Sequence, residues 1–314
     1  MDAGYIAEGF KRFGCKENLN EEPLHHLLNV YVRIHQQSQT DPSIHQDAMN
    51  FFKRLEEGDA EARKFWRMCR DVSFSEYQSM YKKLDVNFDV THCESMYSKE
   101  CGSIIEELKS KNFLLFRDGV GYVDLSTAGD HRQQNMHAPL LKSDGSSLYL
   151  TRDLASAQHR RKEFQAHKLY YVVENGQQQH FKLLSRCLEK CFDVRLNEDM
   201  HVKFGRVEGM STRKGSAVFL SDLIRHARST VKERMQARST TKVTVEEDVD
   251  AVADALAVCG VVVFDLKQSR MNNYKFDWDE ALNFNGDTGI FLQYTHARLN
   301  SSLLLNIQLF KAEI

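Results

Sequence analysis

The sequence contains little of what marks the specialised classes of protein. Its 314 residues include only three prolines and sixteen glycines, which excludes collagen-like and linker-dominated architectures. The longest purely apolar run, residues 255–264, is about half the length that a membrane-spanning helix needs, and the chain starts without an apolar leader. We therefore expect a soluble protein with no membrane partner.

The composition indicates neither disorder nor low complexity. Apolar residues make up 42% of the chain, charged residues 27% and aromatic residues 10%, which are ordinary values for folded domains. The length predicts two domains, or one large domain with an insertion.

Seven cysteines, an odd number, are scattered along the chain. This distribution indicates a reduced intracellular protein and not a disulfide scaffold. Cys187 and Cys191 are four residues apart, which places them on one face of a helix, but no second Cys or His pair has the spacing of a structural zinc site. We expect no structural metal.

The overall charge excludes a globally basic protein, because 42 Lys and Arg face 44 Asp and Glu, a formal net charge of −2. Locally, the stretch from Lys203 to Lys242 carries ten Lys or Arg and only three acids, and an acidic run, residues 246–254, follows it. Such a basic stretch either binds phosphates or forms a solvated helix face. On charge alone, the solvated face is the simpler interpretation.

The hydrophobic periodicity predicts helices over the first 112 or so residues and a change of structure just after Asn112. Two apolar segments, 113–116 and 120–125, flank Asp118-Gly119, which predicts a β-hairpin. A polar loop is expected over residues 126–137. A second Asp-Gly turn then precedes a predicted strand over residues 147–150.

Alternating helices and strands are predicted next. We expect Thr151 to cap a helix that has Asp153 in its first turn. An apolar strand over 169–173, a helix over 177–192 and a strand over 202–207 follow, and the pattern is helical again from Leu220. This alternation is typical of a parallel α/β fold, in which ligands bind beyond the carboxyl ends of the strands.

Two segments at these strand ends carry side chains suited to a polar ligand. Tyr149 and Asp153 can hold a guanidinium, through a two-pronged bond to the carboxylate and cover from the aromatic ring. Asp153 as a helix cap and Tyr149 as a packing residue are the simpler interpretation of these two positions alone. The other segment is a glycine turn followed by Gln177 and His180, whose amide and imidazole groups can fix polar ligand atoms.

The third segment, residues 209–215, has a glycine at each end and Ser, Thr, Arg and Lys between them. That composition suits the stabilisation of charge on transferring phosphates. The segment is not a P-loop, because the glycine spacing and the Lys-Ser/Thr ending are absent. No Gly-x-Gly-x-x-Gly string follows a strand, which excludes a generic dinucleotide-binding oxidoreductase.

Four motifs occur in one order along the chain: Leu-Tyr-Leu-Thr-Arg-Asp at residues 148–153, Gly176-Gln177 with His180, Gly-Met-Ser-Thr-Arg-Lys-Gly at residues 209–215, and the segment 286–298. This order resembles arginyl-tRNA synthetase, a class I synthetase, with the eukaryotic mitochondrial-type form nearest. The resemblance extends from about Gly9 to Asn300. It implies an α/β fold: the second half of a class I Rossmann-like catalytic core, preceded by a helical insertion and followed by helices.

The resemblance further implies an arginine–tRNA ligase, which activates arginine with ATP to arginyl-adenylate and transfers it to tRNA(Arg). We expect Mg²⁺ with the ATP, a monomer, and a location in the mitochondrial matrix or otherwise the cytoplasm. The residues assigned by the resemblance are, for catalysis, Ser211, Arg213 and Lys214; for arginine, Tyr149, Asp153 and Gln177; for ATP, His180, Val202, Gly209 and Met210; and for tRNA, Gln293, Tyr294 and Arg298.

The resemblance divides the chain into three regions. Residues 1–112 correspond to a helical insertion of the catalytic domain, and residues 113–219 to the second half of the Rossmann-like nucleotide-binding domain. Residues 220–314 correspond to a helical stem-contact region and the start of a truncated tRNA- and anticodon-binding bundle.

Three departures from the family pattern limit the expected activity. Gly209 and Thr212 stand where the second class I signature usually has lysines, so that Arg213 and Lys214 would supply the positive charge. The first signature, His-Ile-Gly-His, is absent, and only sixteen residues follow Arg298. We expect a chain truncated at both ends that does not charge tRNA alone. The alternative is a non-catalytic fragment that binds tRNA or a protein partner through the basic stretch.

Overall fold

A computed structural model describes residues 2–126, 136–208, 219–237 and 246–312. Its helices are α1 (Asp2–Phe13), α2 (Lys16–Glu21), α3 (Pro23–Ser38), α4 (Pro42–Glu57), α5 (Ala60–Lys83), α6 (Ser98–Ser110), α7 (Tyr149–Phe164), α8 (Gln178–Phe192), α9 (Leu220–Gln236), α10 (Glu246–Lys267), α11 (Trp278–Ala281) and α12 (Gly289–Ala312). Its strands are β1 (Leu114–Arg117), β2 (Val120–Asp124), β3 (His137–Leu141), β4 (Tyr171–Glu174), β5 (His201–Phe204), β6 (Val207–Glu208) and β7 (Tyr274–Lys275).

These elements form two compact units. Unit 1 comprises Met1–Asn87, Val207–Gln268 and Tyr274–Ile314, and unit 2 comprises Phe88–Arg206 and Ser269–Asn273. The units cut across the three regions inferred from the sequence (1–112, 113–219 and 220–314), which stay a prediction.

Helices α1 to α6 confirm the helical prediction for the start of the chain. Pro23 and Pro42 occupy the first turns of α3 and α4, where proline is tolerated because the N–H groups there have no partner within the helix. Leu27, Val30 and Ile34 form the buried face of α3, at the three- and four-residue spacing that one helix face requires.

The hairpin prediction is also confirmed. Strand β1 pairs antiparallel with β2, and the turn residues Asp118 and Gly119 have φ angles of +50° and +79°, as a tight two-residue hairpin turn requires. Strand β3 joins the other edge of β2 antiparallel. The polar loop prediction missed this strand because it starts at the last loop residue, His137. Residues 127–135 of that loop lie outside the described part of the chain.

Strands β4 and β5 pair in parallel on either side of α8 in the sequence, which confirms the predicted strand–helix–strand unit. Strand β4 starts at Tyr171 and not at residue 169 as predicted, and β5 ends at Phe204 and not at residue 207. Val207, the last residue of the predicted strand 202–207, belongs to β6, which pairs in parallel with β7 in unit 1.

The predicted strand over residues 147–150 is wrong. Helix α7 starts at Tyr149, and Ser147 forms only an isolated bridge with Leu141. Thr151 is not the cap either, because Leu148 occupies that position. Thr151 is fully buried, and its hydroxyl donates to the carbonyl oxygen of Leu140 at 2.6 Å.

Cys187 and Cys191 belong to the core of unit 2. Both are buried on the inner face of α8 with Leu184 and Leu188. Burial in apolar surroundings raises the pKa of Cys187 to about 12 and that of Cys191 to about 11. Among the described residues, no cluster of three His, Cys, Asp or Glu is placed to bind a metal, and no helix there is long and apolar enough to cross a bilayer.

Two cations of the basic stretch, Arg228 and Lys232, pair with acids within unit 1. Arg228 of α9 contacts Asp250 and Asp254 of α10 at 3.1 and 3.0 Å, and Lys232 contacts Asp250 at 2.7 Å. The hydrogen bond from Lys232 lowers the pKa of Asp250. The acidic run therefore neutralises this part of the basic stretch, as expected for a solvated helix face and not for a phosphate-binding surface.

We predict that Thr151→Val destabilises unit 2, because it removes a buried hydrogen bond without changing the shape of the side chain much. The expected loss is about 1 kcal/mol of unfolding free energy, measured by urea denaturation. Thr151→Ser keeps the hydroxyl and should retain the hydrogen-bond contribution. Equal stability of the Val variant and the unaltered chain would contradict the role given to this hydroxyl.

Candidate functional site

The start of α7 is held against β3 through one carbonyl group. The Leu140 carbonyl oxygen accepts the Leu148 amide at 2.8 Å as well as the Thr151 hydroxyl. Between Leu140 and Leu148 the chain reverses direction at Asp144-Gly145. The φ of Gly145 is +80°, a conformation that glycine adopts without strain. These contacts determine where the first turn of α7 lies.

Tyr149 is the first residue of α7, and Asp153 lies one turn further along, so the prediction that Asp153 belongs to the first turn is wrong: the helix starts before Thr151, the residue expected to cap it. Tyr149 and Asp153 are four residues apart and therefore lie on the same helix face. Tyr149 is 65% exposed, so it does not have the packing role that was the simpler interpretation of the sequence. Its ring is available to a ligand.

Asp153 contacts His180 at the start of α8. The distance from Oδ2 of Asp153 to Nε2 of His180 is 2.6 Å, and the side chains are 37% and 24% exposed. Because an ionised carboxylate only accepts hydrogen bonds, Nε2 of His180 carries the proton. The structure thus joins two residues that the sequence assigned to different ligands, arginine and ATP.

The carboxyl end of β4 leads directly into this region. Glu174 ends the strand, and a short 3-10 turn, Asn175–Gln177, connects it to α8. The Glu174 carboxylate accepts the Gly176 amide at 3.1 Å. Gln177 is exposed at the end of the turn.

A salt bridge joins the ends of β4 and β5. Nη2 of Arg206 lies 2.7 Å from Oε2 of Glu174, and this hydrogen bond lowers the pKa of Glu174 and raises that of Arg206. The pair borders an open depression of about 680 Å³ that is also lined by Asn175 and residues 271–273. Sequence reasoning missed this pair, because its members are 32 residues apart and only the parallel register brings them together.

Position 205 requires glycine because the backbone of another segment passes very close to it. The Gly205 amide donates to the Arg270 carbonyl at 2.8 Å, and a Cβ at this position would overlap with the backbone of Asn272. The close approach of the segment 269–273 to the end of β5 therefore depends on the absence of a side chain.

Val202 lies in the middle of β5, opposite Val172 of β4 and half-buried. The preceding residue, His201, donates from Nε2 to the Val173 carbonyl at 3.0 Å and its ring lies 4.7 Å from that of Phe181. These contacts fix β5 against β4 and α8.

The remaining predicted site residues divide into two groups. Gly209, Met210, Ser211, Arg213 and Lys214 lie outside the described residues. The residues predicted to contact tRNA lie on the exposed surface of α12 in unit 1: Gln293, Tyr294 and Arg298. Among these, Tyr294 is 57% exposed.

The fold is that of a class I tRNA synthetase catalytic domain. A family model described as "tRNA synthetases class I (R), catalytic domain" matches residues 2–278, and the chain belongs to this family. This membership confirms both the resemblance and the fold class inferred from the sequence.

Similar sequences are arginine–tRNA ligases. A probable mitochondrial arginine–tRNA ligase from Homo sapiens is 37% identical over 302 residues, which cover 96% of this chain and 51% of that protein. The mitochondrial enzyme of Saccharomyces cerevisiae is 36% identical over 306 residues, covering 95% and 47%. The chain therefore spans about half the length of the curated relatives it matches.

Solved structures show the same fold. The arginyl-tRNA synthetase of Plasmodium falciparum superposes with a TM-score of 0.73 at 24% identity, over 96% of this chain and 49% of that one. The Thermus thermophilus arginyl-tRNA synthetase also gives 0.73, at 18% identity, over 96% and 56%.

The Asp153–His180 contact predicts the tautomer of His180. We expect imidazole nitrogen NMR to show a proton on Nε2, and Asp153→Ala to abolish the hydrogen-bonded signal of that proton. The signal of His201, whose Nε2 donates to a backbone carbonyl, should not change and is the internal control. A His180 signal that is the same in both proteins would contradict the contact.

Proposed function

We propose that this chain forms part of an arginine–tRNA ligase, which activates arginine with ATP to arginyl-adenylate and transfers it to tRNA(Arg). The observation that carries the proposal is the pairing of an exposed tyrosine, Tyr149, with a half-buried carboxylate one turn further along α7, Asp153, in a chain of the class I arginyl family.

The residue types of the proposed arginine site suit a guanidinium group. Asp153 accepts hydrogen bonds from guanidinium N–H groups, and the face of Tyr149 covers the flat cation. The amide of Gln177 supplies a further polar contact at the start of α8. His180 holds Oδ2 of Asp153, which favours a place for it in the arginine site, while its assignment to ATP stays a prediction.

The chemistry needs no covalent bond to the protein. In the first step an arginine carboxylate oxygen attacks the α-phosphorus of ATP and pyrophosphate leaves. In the second step a ribose hydroxyl at the 3′ end of the tRNA attacks the arginyl carbonyl carbon and AMP leaves. Proteins accelerate such in-line transfers through positioning and electrostatic stabilisation.

We assign the nucleotide to the segment around residue 210 and to the end of β5. Ser211, Arg213 and Lys214 contact the phosphates, Gly209 and Met210 provide backbone contacts, and Val202 lies near the adenine. Mg²⁺ accompanies ATP as part of the substrate, where it neutralises phosphate charge. The cations Arg213 and Lys214 replace the lysines of the usual signature.

We assign tRNA contact to the exposed residues of α12: Gln293, Tyr294 and Arg298. The alternative, a non-catalytic RNA-binding fragment, depended on the basic stretch. Arg228 and Lys232 of that stretch are paired with acids of α10, so we do not favour it.

The location and the oligomeric state extend this proposal. Mitochondrial ligases are among the relatives, together with bacterial and cytoplasmic ones. We propose a mitochondrial matrix protein, with the cytoplasm as the alternative, and a monomer. Fluorescence imaging of the tagged chain and light scattering of the purified chain test these two statements.

We predict that Asp153→Ala weakens arginine binding and leaves ATP binding within twofold to threefold. Loss of a charge-assisted pair of this kind costs about 2–5 kcal/mol, which corresponds to a roughly 30-fold or greater rise in the arginine dissociation constant. Calorimetric titration of the purified chain with arginine, and separately with ATP, measures both effects.

The matched control is Glu163→Ala, which removes an exposed acid from the other end of the same helix and should bind arginine as the unaltered chain does. Unchanged arginine binding in Asp153→Ala would show that Asp153 has only a structural role. A folded, unaltered chain that binds neither arginine nor ATP would contradict the proposed function for this chain.

A further inference from the structure

A further cleft, of about 820 Å³, lies within unit 2. It is lined by α8, by residues 195–200, by β5 and by residues 270–271. Its lining residues on α8 extend from Gln178 to Glu189, so the cleft follows the helix for about 16 Å at a rise of 1.5 Å per residue. This length suits an extended ligand better than a single small ion.

Cations outnumber acids along this cleft. Five Lys or Arg and three Asp or Glu line it: Lys182, Arg186, Arg195, Lys203 and Arg270 against Glu189, Glu198 and Asp199. The Glu189 carboxylate is already neutralised, because its Oε1 lies 3.0 Å from Nε of Arg195. The Asp199 carboxylate accepts the side-chain amide of Asn197 at 2.7 Å. The cleft therefore favours an anionic ligand.

Three of the cations come from three separate segments: Lys182 from α8, Lys203 from β5 and Arg270 from the segment 269–273. Within the described part of the chain, none of the three forms an ion pair with an acid. Nη1 of Arg270 donates to the Lys203 carbonyl oxygen, which fixes the guanidinium. Because a guanidinium has five N–H donors, Arg270 keeps donors for a ligand.

Phosphate is the anion that these groups suit best. A guanidinium binds two phosphate oxygens at once, and an ammonium group binds phosphate as a point charge. Several cations along an extended cleft suit a chain of phosphates, which is the backbone of a nucleic acid. The Phe181 ring in the cleft wall is buried, so it has no exposed face on which a base could stack. The contacts are therefore to the backbone, and they do not read the base sequence.

We propose that this cleft binds the phosphate backbone of the tRNA, with Lys182, Lys203 and Arg270 as the phosphate contacts. The inference adds a surface of unit 2 to the tRNA contacts assigned to α12 in unit 1. It rests on the proposed function in one respect, namely that the RNA is the tRNA of an arginine–tRNA ligase. None of the residues assigned to arginine or ATP lines the cleft, so the two sites can be tested separately.

The test compares two double variants of the whole chain, each of which removes two positive charges. Lys182→Gln/Lys203→Gln changes the cleft. Arg161→Gln/Lys162→Gln is the matched control, at exposed positions of α7 in unit 2 that do not line the cleft. The readouts are the dissociation constants for a tRNA(Arg) transcript, at several salt concentrations, and for inorganic phosphate. If the cleft variant does not fold, Lys182→Gln alone takes its place, because Lys182 is exposed on α8.

We expect the cleft variant to bind tRNA about tenfold more weakly at low salt, and the control variant to bind within twofold to threefold of the unaltered chain. Each phosphate contact contributes roughly 0.7–0.9 to the slope of log affinity against log salt concentration, so the slope should fall by about 1.5 in the cleft variant only. Lys182→Gln alone should give about half of that change.

Three outcomes would overturn the proposal. Equal weakening in both double variants would show a general effect of charge. Unchanged tRNA binding in the cleft variant would show that the cleft does not bind RNA. Weaker binding of inorganic phosphate with unchanged tRNA binding would assign the cleft to a small phosphate ligand.

The proposed function can fail independently of this inference. A chain that binds arginine and ATP but no tRNA would keep the proposed amino-acid and nucleotide sites and refute the role of the cleft. A chain that binds tRNA through the cleft but binds neither arginine nor ATP would confirm the cleft and contradict the proposed function.

Discussion

The parallel pairing of β4 with β5 is the constraint on which the candidate site depends. Parallel strands present their carboxyl ends at the same edge of a sheet, and the register that places Glu174 opposite Phe204 brings Glu174 to Arg206. The same pairing sets the direction in which α8 leaves the sheet. His180 on that helix then meets Asp153 of α7, which is held separately by the Leu140 carbonyl oxygen.

Among the described residues, charged side chains are found in several different settings. Between α9 and α10 they pair across the outside of an apolar contact that includes Val231 and Ala253. Glu174 and Arg206 join two strand ends beside an open depression. Asp153, by contrast, is held by the Nε2 nitrogen of His180. Because a carboxylate has two acceptor oxygens, Asp153 can also accept hydrogen bonds from the guanidinium group of the proposed arginine site.

Much of the fold could be predicted because local patterns and tertiary contacts agree. The Asp-Gly turn at Asp118 and the helices at the start of the chain are examples, predicted from the turn residues and from the apolar spacing. The strand predicted over residues 147–150 failed because tertiary bonds from Leu148 and Thr151 to Leu140 start a helix where the local pattern favours a strand. Glu174 with Arg206 and His25 with Asp222 could not be predicted, since no local pattern records contacts over 32 and 197 residues.

The sequence by itself determined the family, the helical start of the chain and the strand–helix–strand unit around α8. Tyr149, Asp153 and Gln177 could be proposed for the arginine site from their motifs, because a motif is a short-range property of the chain. Only the tertiary structure decided that His180 contacts Asp153 and that Arg228 is neutralised by acids from α10. The physical reason is that hydrogen bonds and ion pairs depend on separations of about 3 Å between atoms, and packing alone brings residues distant in sequence to that separation.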